Sequence, residues 1–451
     1  MDFLNYVKEH QQELIETTKA LLKIPSVLDR YDPESTMPFG EGIQKALEFM
    51  LDQGKNDGFI VKNIQNYAAH IEHGNGEDIL GILCHLDVVP PGDGWTHPPF
   101  QPVIRDGKLF ARGAMDDKGP TMAAYFALKF LKDLDVTFHK RVRIILGTDE
   151  ETAWRGIDKY FKSEEMPSIG FAPDASFPLI YGEKGMINAD LTGTFAEDEI
   201  ASFRCGERYN VVPDYAECEL NVDKKAEFKT FCDYYNFKGE IKGDKYIMHG
   251  KNAHAMQPNL GVNAAYIMAK FLNEQFDNPY MKFIEKFLSF DANGEKLGID
   301  YYDEEMKEFT INAGIFEYHK DQVTIGINCR YPKGFDFEHF EKQVKAAVKK
   351  HKLKYNLKNN VPIHYVDPKE PLIQHLMDAY QKITNDKDSK PFTIGGGTYA
   401  RALNKAVAFG MAMPGRKDTV HQLDEHIYID DFIEATAIYM EAIYALTRSQ
   451  D

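Results

Sequence analysis

The chain has no apolar run long enough to span a bilayer, which argues against a transmembrane helix. It is short of basic residues: 53 Lys and Arg stand against 70 Asp and Glu, a formal net charge of −17. Phosphate backbones and anionic membrane surfaces bind basic faces, so neither nucleic acid nor a membrane is an expected partner. Cysteine is scarce, with five in 451 residues (Cys84, Cys205, Cys218, Cys232 and Cys329). The count is odd and no CxxC spacing occurs, which argues against a disulfide framework and a thiolate zinc site. The opening "MDFLNYVKEHQQELIETTKALLKIPSV" lacks the basic and apolar regions of a signal peptide and reads as a polar amphipathic helix. A cytoplasmic protein is expected. No low-complexity segment occurs, and no G-x-S-x-G stretch supports a serine hydrolase.

What is present is an alternation of helices and strands over roughly the first 185 residues. "DILGILCHLD" and "RVRIILGTDEE" are continuous apolar runs with polar ends, as suits buried strands of a mostly parallel sheet. "GPTMAAYFALKFLKDL" between them reads as a helix with Pro in its first turn. This is α/β architecture, in which ligands collect beyond the carboxyl ends of strands. From about residue 186 to 375 the pattern changes to β-type alternation broken by helices, with β-α-β order on each side of residue 290. We read residues 186–375 as an inserted α+β lid built from two related halves. Residues 1–185 and 376–451 would then form one catalytic domain.

Acidic and imidazole side chains recur where the first domain's strands end. His85 and Asp87 stand two apart, and i and i+2 face one side of a strand. Asp116 and Asp117 lie in "RGAMDDKGP" before a helix, Asp149, Glu150 and Glu151 end "ILGTDEE", Asp174 sits in "GFAPDASFP", and His421 opens "HQLDEHI". Any one of these is most often a solvated turn residue. As a set converging on one side of a parallel sheet they would repel each other, and burying unpaired charge costs several kcal/mol. Divalent metal resolves the conflict, and imidazole with carboxylate suits zinc, manganese or cobalt.

These stretches resemble the di-metal aminoacylase, carboxypeptidase and dipeptidase family that includes carnosinase. The resemblance runs along essentially the whole chain through HxD at 85–87, DxKG at 116–119, the Glu pair at 150–151, Asp174 and HxxDE at 421–425. It is nearest to bacterial PepV-type dipeptidases, which share "HLDVVP", "DDKGP", "GTDEE", "NVVP" and "GGGTYAR". The resemblance implies two divalent ions per chain, zinc first, with manganese or cobalt as alternatives. It implies Asp116 as the bridge, His85 and Asp174 completing one site, and Glu151 and His421 the other. Glu150 becomes general base and acid, and Asp87 either orients His85 or steadies the neighbourhood of Glu150. Adjacent glutamates in extended backbone point apart, so one can hold metal while the other reaches water. The resemblance also implies a cis peptide between Asp116 and Asp117.

In the second region it makes His254 the stabiliser of the tetrahedral intermediate and Asn210 and Arg330 substrate-binding groups; without it, Arg330 reads equally well as a surface ion-pair residue. Gly395, Gly396, Gly397, Thr398 and Arg401 form either an anion cradle for a peptide carboxylate or an ordinary turn. Simpler family members carry a shorter lid that dimerises and lends its His across subunits. The long insertion here implies a monomer in which His254 serves its own chain. The expected activity is hydrolysis of short unblocked dipeptides. The alternatives are an N-acyl-amino-acid deacylase of the same chemistry and an inactive metal- or peptide-binding module.

Overall fold

The computed structural model describes residues 1–195 and 199–448. The chain forms two units: residues 1–181, 365–392 and 397–451 make the first, and residues 182–364 and 393–396 the second.

The first unit is built on a mixed sheet. Arg141–Gly147, Ile79–His85, Ile169–Ala172 and Ala406–Ala408 run parallel side by side at its centre. Ala68–His73 and Ile60–Ile64 extend it antiparallel on one side. The sheet is thus parallel through its central strands, as expected, with antiparallel strands added beside them. Every residue of Ile79–His85 is buried, which explains a strand apolar on both faces. Lys118–Asp133 crosses from this strand to Arg141–Gly147 and packs with Phe3–Leu22 and Ile429–Arg448. Asp2 caps Phe3–Leu22 by accepting the Asn5 amide at 3.0 Å. Among the described residues no helix is long and apolar enough to cross a membrane.

Two glycines bring backbone close to the polar end of the sheet. A Cβ on Gly119 would lie 1.9 Å from the Ala114 carbonyl oxygen, and one on Gly147 would lie 2.2 Å from the Tyr399 hydroxyl. Only glycine permits these approaches. The first lets the 111–116 loop fold against the helix start that follows Asp116 and Asp117.

The second unit holds an eight-stranded antiparallel sheet. Ile200–Cys205 and Tyr215–Leu220 form a hairpin followed by helix Lys225–Tyr235 and then Gly239–Lys242 and Lys245–His249. Thr310–His319 and Gln322–Tyr331 form another, followed by helix Phe337–Lys350 and strand Leu353–Val361. The two runs meet where Ile200–Cys205 pairs with Thr310–His319. They share strand–strand–helix–strand order, and Gly185–Thr194 inserts between the last two strands of the second run.

The unit boundary falls at residues 364 and 365, not at 375 and 376 as read from sequence. Pro371–Thr384 packs on Ile429–Arg448, and its Leu372, Ile373, Leu376 and Tyr380 lie in one apolar core with Ile438 and Tyr439. That burial assigns the helix to the first unit.

A candidate metal centre at the sheet's carboxyl edge

His85 is the last residue of its strand. Asp174 lies two residues past Ile169–Ala172, and Glu150 and Glu151 lie three and four past Arg141–Gly147. Adjacent parallel strands thus deliver these groups to one edge. Asp116 comes from the turn before Lys118–Asp133, and its peptide to Asp117 is cis. His421 comes from the loop before Ile429–Arg448, with φ of +59°, a left-handed conformation uncommon for a residue with a Cβ.

The side chains form two groups that share Asp116. His85 Nε2 lies 3.0 Å from Asp116 Oδ1 and 3.4 Å from Asp174 Oδ2. His421 Nε2 lies 3.0 Å from Asp116 Oδ2 and 2.9 Å from Glu151 Oε1. His85 Nε2 and Asp116 Oδ1 are buried and lack hydrogen-bond partners. Orphaned nitrogen and oxygen atoms aimed at one point fit a cation that prefers such donors. Cys84 is next to His85 but lies outside both groups.

The electrostatics agree. Burial alone would lower His85, but the adjacent carboxylates of Asp116, Asp174 and Asp87 raise it well above the usual imidazole value. Hydrogen bonds to Asp116 and Glu151 lift His421 to about 10. Burial, followed by Asp174 and Glu151, pushes Glu150 well above the usual carboxylate range despite His85. Burial and Asp116 raise Asp174. The cluster therefore draws positive charge to itself. Cations close in sequence are engaged elsewhere. The Lys118 ammonium donates to the Ile24 carbonyl at 2.6 Å, Arg112 to Glu425 at 2.6 Å and Arg155 to Asp149 at 2.7 Å.

Asp87 has a more specific position than its spacing from His85 conveys. Its Oδ1 accepts the Glu150 amide at 3.1 Å and its Oδ2 the Glu151 amide at 3.0 Å. The Asp87 backbone carbonyl, rather than its carboxylate, makes the shorter contact to His85 Nδ1, 2.9 Å against 3.5 Å. Glu150 and Glu151 occupy a turn, not the extended backbone expected, because the strand stops at Gly147 and Asp87 gathers both amides. The two side chains still divide: Glu151 meets His421, while Glu150 belongs to neither ligand group.

Three neighbours have contacts at the site to which the sequence reading assigned no role. Glu425 is fully buried and accepts four bonds: from Arg112, from the Gly113 amide, and from the Met115 and Asp116 amides at 2.8 and 3.1 Å. It thereby ties the His421 loop to the loop carrying Asp116. Asp117 accepts the His85 amide at 2.9 Å and the Thr121 hydroxyl at 3.1 Å. Tyr399 sets its ring edge-on to His85 at 6.1 Å.

The remaining predicted residues fall as follows. In the second unit Val211 pairs with His254, and the Asn210 carbonyl accepts the Ala255 amide at 2.9 Å, so Asn210 and His254 lie on adjacent segments. Arg330 donates to Asn328 Oδ1 at 2.9 Å and to the Gly395 carbonyl at 3.3 Å. Its charge, after burial, holds His254 below the ordinary imidazole value. Gly395 and Gly396 belong to the second unit and Gly397, Thr398 and Arg401 to the first. Thr398 caps a short 3-10 helix, accepting the Ala400 amide at 3.2 Å, and a Cβ on Gly397 would lie 3.2 Å from the Arg401 guanidinium carbon.

Comparison with known proteins follows the same lines. Residues 81–445 match the family model described as peptidase family M20/M25/M40. A protein of Staphylococcus epidermidis named "Putative dipeptidase" is 43% identical over 98% of both chains. A Staphylococcus aureus protein of the same description is 42% identical over 98% of both. Among solved structures, human carnosine dipeptidase 1 superposes with a TM-score of 0.60 at 15% identity, covering 99% of this chain and 98% of that one. The dipeptidase Dug1p of Saccharomyces cerevisiae gives 0.60 at 14% identity, covering 100% and 99%.

Proposed function

The chain belongs to peptidase family M20/M25/M40, and on that premise we propose that it is a dipeptidase working through two divalent cations held by the Asp116-centred cluster. The observation that carries the proposal is the placement of Asp116, with one oxygen 3.0 Å from His85 Nε2 and the other 3.0 Å from His421 Nε2. His85, Asp116 and Asp174 would hold one cation, and Asp116, Glu151 and His421 the other. Zinc is the first expectation, with manganese or cobalt as alternatives. Bound there, the cations would supply Lewis acidity to the scissile carbonyl and to water.

The protein's own groups account for the proton transfers. Glu150 takes a proton from the attacking water and delivers it to the leaving amine nitrogen as the carbon–nitrogen bond breaks. Burial and neighbouring carboxylates raise Glu150 above the ordinary carboxylate range, the direction that helps a carboxyl hold and pass on a proton. Asp87 sets the Glu150–Glu151 turn. His254 stabilises the negative charge that develops on the carbonyl oxygen, Asn210 binds the substrate, and Arg330 binds its C-terminal carboxylate, with the 395–398 loop and Arg401 as further carboxylate contacts. All five cysteines are free and buried, which fits a reducing compartment such as the cytoplasm. We further propose a monomer, so light scattering should return a mass near 51.5 kDa.

The deciding experiment sets dipeptides, a tripeptide and N-acetyl amino acids against protein reconstituted with zinc, manganese or cobalt, and against chelated protein. Dipeptides should be cleaved and chelation should abolish the cleavage. Preference for the N-acetyl amino acids would instead make the protein a deacylase, and indifference to chelation would refute the cation-dependent mechanism.

A further inference from the structure

Four asparagines form one cross-strand row in the second unit's sheet. Asn312, Asn328, Asn188 and Asn359 are successive partners on Thr310–His319, Gln322–Tyr331, Gly185–Thr194 and Leu353–Val361. Directly opposed residues share a face of the sheet. Asn312 and Asn328 are 1% and 2% exposed. Strand interiors favour β-branched and aromatic residues, and a buried amide costs free energy unless it is hydrogen-bonded.

The hydrogen bonds show what the amides hold. Arg330 Nε donates to Asn328 Oδ1 at 2.9 Å. A guanidinium only donates, which fixes the sense of the Asn328 amide and turns its Nδ2 away from Arg330. That nitrogen donates to Asn188 Oδ1 at 2.6 Å. One strand over, Asn312 Nδ2 donates to the Tyr209 and Val211 carbonyls, both at 2.9 Å. Those carbonyls flank Asn210, and Val211 pairs with His254.

We propose that this asparagine row is a positioning device. Asn328, backed by Asn188, aims the Arg330 guanidinium at the substrate's C-terminal carboxylate, and Asn312 sets the turn carrying Asn210 beside His254. The proposal rests on the reading of Arg330 as the carboxylate-binding group.

The test compares kcat/KM for a dipeptide with that for its C-terminal amide. Wild type should prefer the free carboxylate, and equal rates would refute the assignment of Arg330 and the row's purpose with it. Asn328→Asp places a competing carboxylate on Arg330 Nε and removes the donor to Asn188. Asn188→Ala removes only the acceptor behind Asn328 and carries the same prediction should the first variant fail to fold. In either, the carboxylate-to-amide ratio should fall by about tenfold or more. Asn312→Leu should lower kcat and leave that ratio at its wild-type value. If Asn328→Asp and Asn188→Ala slow both substrates alike at an unchanged ratio, the row is only structural and the proposal is overturned.

Discussion

Replacing Asp87 with Asn isolates what its carboxylate does. The side chain is 2% exposed, so solvent screens little of its interaction. Each oxygen accepts one backbone amide, from Glu150 at 3.1 Å and Glu151 at 3.0 Å. Asn keeps the volume but can present an oxygen to only one of them, and the other amide then meets an NH2 group. A hydrogen bond to a charged acceptor contributes about 1.5–3 kcal/mol, and a buried donor left facing a donor adds to the loss. A cost of about 2–3 kcal/mol expressed in the transition state corresponds to a roughly 30- to 160-fold fall in turnover. His85 should be nearly untouched, because its Nδ1 contacts the Asp87 backbone carbonyl at 2.9 Å, which the substitution retains. The assay is kcat measured beside metal content at buffered free zinc. Asp87→Asn should keep both cations and lose turnover. A variant that loses the His85–Asp174 cation yet turns over normally when saturated would refute this reasoning and assign the carboxylate to His85.

Other outcomes follow from the same geometry. Glu425→Gln leaves Arg112 buried without its countercharge, which costs about 3–5 kcal/mol, so its thermal midpoint should fall well below wild type. Arg112→Met with Glu425→Gln should recover part of the loss, and an additive loss in the double variant would contradict the pairing. Because Asp116 and Glu151 hold His421 at about 10, the cation-free protein carries an imidazolium there at pH 8. A cation must displace that proton, so zinc affinity should rise with pH up to about 10, and titration calorimetry at pH 8 in buffers of different ionisation enthalpy should register proton release. Identical heats in all buffers would contradict the protonated state.

The gathering of acidic and imidazole groups at one sheet edge was legible because carboxylates and imidazoles end apolar strands where burial penalises charge; their allotment as ligands came from the family resemblance. His85, Asp116, Glu151, Asp174 and His421 lie together in two groups that share Asp116. The partners of Asp87 were not legible, since a residue two positions from His85 says nothing of amides more than sixty residues away. Glu425 lies within a recognised stretch, but its acceptors' partners are mostly backbone amides, which leave no mark in sequence. The turn at Glu150 was hidden because an apolar strand gives no sign of where pairing stops. The asparagine row depends on strand register across four segments, and no single segment displays it. The second unit's far boundary was misplaced because an amphipathic helix such as Pro371–Thr384 has the same periodicity whichever core it covers.

The central claim is that cations gathered around Asp116 act with Glu150 as the proton carrier. Its most direct test is dipeptide turnover by Glu150→Gln at verified metal content. Glu150 is outside both ligand groups, so the variant should bind two cations per chain like wild type and lose about a thousandfold or more in kcat. Near-wild-type turnover by the fully loaded variant would contradict the account.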